Sequence, residues 1–185
     1  MRTLANCHSC GSQALETILS FGEIPLADVL LGEDQLDQVQ AAYPLDLLFC
    51  PNCSLVQVAN DIPPEELYVH DYAYYSSVLP GLVRHFNESA DQIMAIKPMG
   101  EESLVIEAAS NDGYMLKRFK EADINVLGID PAEGPARVAN EEGIPTIADF
   151  FSKDIAMRLS KQGRLCDVFV GHSTGYDTTL MPTDR

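Results

Sequence analysis

Two short cysteine pairs, Cys7-His-Ser-Cys10 and Cys50-Pro-Asn-Cys53, constrain this chain more than any other feature. A C-x-x-C spacing lets two thiolates reach one ion while the intervening amides turn toward sulfur. Cys7, Cys10, Cys50 and Cys53 together complete a tetrahedral Zn(II) shell with no position left for water, so the metal is structural. The chain must then bring two knuckles together although residues 11–49 separate them. His8, inside the first knuckle, reads as a bystander. Close pairs of this kind suit a reducing compartment and a metal better than disulfides. Strand-like runs at 45–49 and 55–58 flank the second knuckle, as in a zinc ribbon. Apparent binding of ~10–16 kcal/mol would take the place of a core in so small a module.

Between the knuckles, 21–28 and the acidic 32–40 read as loop and short helix, with Gly22 and Pro25 punctuating a turn. Asp61-Ile-Pro-Pro-Glu-Glu-Leu67 has helix-start chemistry, with prolines at the entry and carboxylates in the first turn. These features predict a zinc-binding module over 1–60 and a connecting region over 61–99.

That region holds Tyr68-Val-His-Asp-Tyr-Ala-Tyr-Tyr-Ser-Ser77, with four of the seven tyrosines. Strand alternation would put Tyr72 and Tyr74 on one face and Tyr75 opposite. The segment is either an aromatic cluster between modules or a set of hydroxyls lining a polar pocket. Leu82, Phe86, Ala90, Ile93 and Met94 then recur near a 3.6 period, which predicts an amphipathic helix over 79–96. Arg84 and His85 fall among its solvated positions.

From residue 100 the rhythm alternates. Strands are predicted at 104–107, 126–130, 144–147 and 166–170, and helices at 114–121, 135–142 and 152–162. Such alternation argues an α/β fold with a parallel sheet over 100–170. Cys166, the unpaired fifth cysteine, is expected in its core. The first unit, Leu104-Val-Ile-Glu-Ala-Ala-Ser-Asn-Asp-Gly113, is a strand and polar turn opening onto a helix. Free amides there suit an anionic or nucleotide ligand. Asp130, ending the second strand, can accept from both hydroxyls of a ribose, which points to an adenosine-type cofactor. Residues 171–185 lose all periodicity and are expected to be a loose tail.

Twelve basic against 28 acidic residues give a net charge of −16. That surface repels phosphate backbones and anionic bilayers, so neither nucleic acid nor membrane is an expected partner. Neither a secretory leader nor an apolar run of spanning length is present, and a cytoplasmic location is expected.

The motifs, taken in order, resemble the S-adenosylmethionine-dependent sugar C-methyltransferases, which act on nucleotide-linked 4-keto-deoxyhexoses. The four cysteines match that family's zinc module. Tyr72-Ala-Tyr74-Tyr75-Ser76-Ser77 matches its Tyr-x-Tyr-x-Ser-Ser segment, and Glu107 through Gly113 its E-x-x-x-N-D-G cofactor loop. Gly128-Ile-Asp-Pro131 matches its acidic strand end, and Asp149-Phe-Phe151 the part that meets adenine. The resemblance implies a zinc-ribbon-like module followed by a partial Rossmann-like methyltransferase sheet. It assigns the cofactor to Glu107, Ala109, Ser110, Asn111, Asp112, Gly113, Asp130, Pro131, Asp149 and Phe150. It assigns the nucleotide-sugar to Tyr72, Tyr74, Ser76 and Ser77. His70, Tyr72, Tyr74 and Tyr75 are candidates for a catalytic role by location only. Ala109 and Asn111 stand where methyltransferase loops usually carry glycine. Alanine fits if φ is negative, and asparagine tolerates the left-handed region.

In that family a base removes the proton α to the ketone, and the resulting enolate attacks the methyl sulfonium. The family continues through further strands and a C-terminal domain, so this chain is expected to be an inactive front portion. Its exposed sheet edge is expected to invite self-association. Two alternatives are an NAD-dependent oxidoreductase, although a G-x-G-x-x-G turn is absent, and a non-catalytic zinc- and nucleotide-binding remnant.

Overall fold

The computed structural model describes residues 2–68 and 72–172. It divides the chain into two compact units, Met1–Leu67 and Tyr68–Arg185.

The first unit is antiparallel β structure with a thin core. Strand β1 (Arg2–Thr3) pairs with β5 (Asn60–Asp61), and β2 (Glu16–Pro25), β3 (Ala42–Phe49) and β4 (Val56–Val58) form a sheet in that order. The ten-residue β2 overturns the loop expected around Phe21. Gly22, at φ 72°, lies in a bulged stretch between Ser20 and Glu23, and this irregularity lets the strand continue to Pro25. Only one turn of 3₁₀ helix, Glu33–Gln35, forms in the acidic segment. Helix α1 (Pro64–Tyr68) begins at the second of the paired prolines, with Glu65 and Glu66 in its first turn.

The second unit is α/β. Helix α2 (Pro80–Ile96) precedes strand β6 (Leu104–Ala108), helix α3 (Tyr114–Lys120), strand β7 (Asn125–Asp130) and helix α4 (Glu133–Glu141). Strand β8 (Thr146–Ala148), helix α5 (Lys153–Lys161) and strand β9 (Val168–Gly171) follow. All pairings are parallel and the order is β8-β7-β6-β9. Alternation along each strand fills two cores. Val105 and Val126 face Phe86, Met115 and Phe119 from α2 and α3, whereas Ile106, Leu127 and Ile129 face Ile155 and Leu159 from α5.

Two expectations fail at the end of this unit. Cys166 is exposed, because the β6–β9 ladder starts only at Val105 opposite Val168. Asp167 joins the strands just before it, its amide donating to the Leu104 carbonyl at 2.8 Å. Residues 171 and 172 are not tail: Gly171 ends β9 and His172 packs against Phe86. Residues 173–185 lie outside the described residues. Among the described residues, no helix is long and apolar enough to cross a membrane.

Candidate functional site

The two knuckles of the first unit fold alike. Cys7 N donates to Ser12 O at 2.8 Å and Cys50 N to Leu55 O at 2.9 Å. Gly11 N donates to Cys7 O and Ser54 N to Cys50 O, and both donors sit at positive φ. Each turn thus bends back so that its cysteines converge. The four sulfurs lie within 4.8 Å of one another. Cys7 and Cys53 are 3.5 Å apart and Cys10 and Cys50 3.6 Å apart, too far for disulfides at about 2.05 Å. A tetrahedron with Zn–S bonds of about 2.3 Å has edges of roughly 3.8 Å, so the spacing fits zinc.

Electrostatics fit it too. The Cys10 amide draws the Cys7 thiol down to about 6, against the effect of burial. The Ser12 amide favours a thiolate at Cys10 as well, but burial and the other three sulfurs push that thiol up to about 12. One thiolate forms and makes the next costly, a repulsion that a divalent cation removes. His8 is exposed and not part of the ligand group.

In the second unit, the strand order reverses between β6 and β9. Open α/β sheets bind ligands outside the carboxyl ends of strands at such a switch point. Glu107 shares the α2–α3 face with Val105 and is completely buried. Among the described residues, neither of its carboxylate oxygens has a hydrogen-bond partner. His172, just past β9, brings Nδ1 to 3.7 Å from Oε1 of Glu107, beyond hydrogen-bond reach. Phe86 holds the imidazole edge to face at 4.6 Å and Tyr114 at 4.7 Å. Burial raises the Glu107 carboxyl to about 7; His172 opposes this and the charge of Asp130 adds to it. Burial and then the charge of Glu107 push the Tyr114 phenol up.

The turn that follows is left-handed three times, at Ala109 (φ 54°), Asn111 (φ 49°) and Gly113 (φ 76°). A negative φ at Ala109 is therefore not what occurs. Its amide is tied to Ile129 O at 2.8 Å, and this neighbouring strand holds the alanine where a side chain costs about 1–2 kcal/mol. At Gly113 any side chain would also press on Ile144, 3.0 Å away. Ser110 tucks its hydroxyl beside Gly128, where a β-carbon would collide with it. Ser110 Oγ and Asp112 Oδ1 are, like Glu107, buried without a hydrogen-bond partner among the described residues. Four orphaned oxygens around one turn make a polar cradle suited to a ligand's ammonium or hydroxyl donors.

Asp130 is already engaged. Its Oδ2 accepts from Asn111 N at 2.7 Å and its Oδ1 from Ala132 N at 2.8 Å, which leaves one lone pair on each oxygen. Burial raises its carboxyl even against these amides. Pro131 is half-buried beside it, and Asp149 N donates to Asp130 O at 3.1 Å. The Asp149 carboxylate is exposed and accepts from Phe150 N, while Phe150 is half-buried. Phe151 turns to the other face and meets Phe169 at 4.8 Å.

Residues 72–75 are irregular rather than strand, yet the Tyr72 and Tyr74 rings do meet, edge to face at 6.4 Å. Tyr75 lies over Gly134 in the first turn of α4, where its hydroxyl takes the space of a side chain. Ser76 is buried and Ser77 exposed. His70 lies outside the described residues. His172 and Tyr114 are the neighbours of Glu107 that sequence reasoning missed. The available signal was position: a histidine directly after a parallel strand lies on the ligand side of the sheet.

Residues 7–68 match the family described as "Putative zinc binding domain". C-methyltransferase NovU of Streptomyces niveus is 30% identical over 171 residues, 92% of this chain and 40% of that protein. The chain thus spans about two fifths of the length of the curated relative it matches. The crystal structure of MccD protein is similar over 45% of this chain and 31% of that one, at 20% identity and a TM-score of 0.27, too low to bear on the fold. The chain is thus similar to a C-methyltransferase over most of its own length, and its cysteine cluster lies inside the matched zinc-binding region.

Proposed function

We propose that the protein takes part in S-adenosylmethionine-dependent C-methylation of a nucleotide-linked keto-deoxysugar. The observation that carries the cofactor half is Glu107, buried at the switch point with both oxygens unpartnered among the described residues. A buried carboxylate without donors is costly, and a ligand ammonium or hydroxyl would relieve that cost. Glu107, Ser110 and Asp112 would hold the polar end of the cofactor. Asp130 would use its free lone pairs for the ribose, and Asp149 and Phe150 would meet the adenine. Once bound, the cofactor supplies an electrophilic methyl group. The chain's own part is to orient it and to keep water from the sheet side, where Phe86 and Tyr114 pack.

Tyr72, Tyr74 and Ser77 would face the sugar, whose carbanion-like carbon next to the ketone would accept the methyl. No described residue is assigned as the base that generates it. The zinc cluster would hold the first unit together, in a reducing compartment such as the cytoplasm.

Calorimetry with S-adenosylhomocysteine and with NAD tests the reading. Binding of the former, weakened about tenfold or more by Glu107→Gln, is the expected result. Preferential binding of NAD would favour a dinucleotide oxidoreductase, and binding of neither would leave a structural remnant.

A further inference from the structure

Asn111 spends all its hydrogen-bonding groups but its carbonyl inside the protein. Its amide donates to Asp130 Oδ2 at 2.7 Å. Its side-chain Oδ1 accepts from Ser76 N at 2.8 Å, and Nδ2 donates to Tyr74 O at 3.1 Å. Next to it, Asp112 Oδ2 accepts from Ser77 N at 3.3 Å. Residues 74 and 75 are irregular and Ser76 only opens a 3₁₀ turn (Ser76–Val78), so this stretch of backbone has no partner of its own for its first amides. Its amides are instead satisfied by the carboxamide and carboxylate of the 109–113 turn.

The residue type fits this double duty. At φ 49° glycine is the least strained choice, but glycine has no carboxamide. Asparagine is the side chain that tolerates the left-handed region and also offers one acceptor and one donor in a plane. An extended stretch of backbone presents that complementary pair, a carbonyl at Tyr74 and an amide at Ser76.

We propose that Asn111 is a positioning residue that fixes the Tyr74–Ser77 segment to the ligand-binding turn, so that occupancy of the turn also orders the aromatic segment. This rests on the cofactor reading above for the ligand's identity, but the clamp itself does not. Asp130 completes the link, since the carboxylate expected to meet the ribose also holds the Asn111 amide. A ligand that stiffens Asp130 stiffens Asn111, and through it Ser76.

Hydrogen exchange of the full chain, with and without S-adenosylhomocysteine, tests this on wild type, Asn111→Gly and Asn111→Asp. Asn111→Gly keeps the backbone conformation accessible and removes the clamp. Its Ser76 amide is expected to exchange at least about tenfold faster while β6 and β7 stay protected. Asn111→Asp restores an acceptor for Ser76 N but no donor for Tyr74 O, so Ser76 protection should recover in large part. In the wild type the ligand should slow exchange at both 109–113 and Ser76, and in Asn111→Gly the effect at Ser76 should be lost while that at 109–113 remains. Unchanged Ser76 exchange in Asn111→Gly, or no recovery in Asn111→Asp, overturns the clamp. Ligand protection reaching Ser76 in Asn111→Gly overturns the coupling. If the wild type shows no ligand effect anywhere, the cofactor reading and the coupling fall, and the ligand-free comparison still decides the clamp.

Discussion

The Glu107 carboxylate and the His172 imidazole face each other across 3.7 Å, and the Glu107 oxygens and His172 Nδ1 are buried without a hydrogen-bond partner among the described residues. The strand order puts them there: β6 and β9 are neighbours, so the residues at their carboxyl ends meet although 64 positions of sequence divide them. A pair so placed is unsettled without a ligand, and its energetics should depend on pH.

Glu107 titrates at about 7 instead of the ordinary 4.5. Between those values the unfolded chain has lost a proton that the folded chain retains, so stability falls as pH rises through this window. The penalty is absent below 4.5 and complete above 7. Glu107→Gln removes it, so the variant should match wild type near the lower limit and exceed it by about 3 kcal/mol at pH 8. Urea denaturation of both proteins at several pH values checks this, and a constant difference would contradict it.

One Zn(II) per chain should survive dialysis, held by Cys7, Cys10, Cys50 and Cys53. Chelation, Cys10→Ser or Cys53→Ser should unfold the first unit, since zinc of this kind contributes about 10–16 kcal/mol and the unit buries few apolar side chains. Loss of β signal with the α/β unit intact is the expected spectroscopic outcome. Stoichiometric metal in the quadruple serine variant would place the ion elsewhere.

Asp130→Ala should weaken both stability and ligand binding. The Asn111 and Ala132 amides lose a charged acceptor, a cost of about 3 kcal/mol or more for the two bonds. A drop in S-adenosylhomocysteine affinity of about tenfold or greater would add the ribose contact. Calorimetry beside denaturation separates the two effects, and unchanged affinity would remove Asp130 from the ligand.

Among the described residues β9 pairs on one side only, and Phe169 is 48% exposed. An unpaired apolar strand is a template for another copy. Apparent mass on sizing should rise with protein concentration, and Phe169→Lys should suppress that rise. A wild type that stays monomeric throughout would refute it.

Sequence by itself determined what is local. The C-x-x-C spacing names four ligands because a knuckle's geometry resides within four residues. Apolar periodicity placed α2, α3, α4 and α5 and strands β6 and β7 to within a few residues, because burial on a helix or strand imposes its own period. The Glu107–Gly113 turn was legible as a strand-to-helix turn for the same reason. Strand β2 was not legible, because nearly all its side chains are solvated and nothing in its pattern marks a buried face. The fates of Cys166 and His172 were hidden as well, since both depend on where β9 meets β6. Only the tertiary structure decided that Asn111 would face Ser76, that Asp130 would hold the turn, and that Glu107 would find no donor among the described residues. Those are relations between segments far apart in the chain. They are fixed by the packing of one surface on another, which no single stretch of residues encodes.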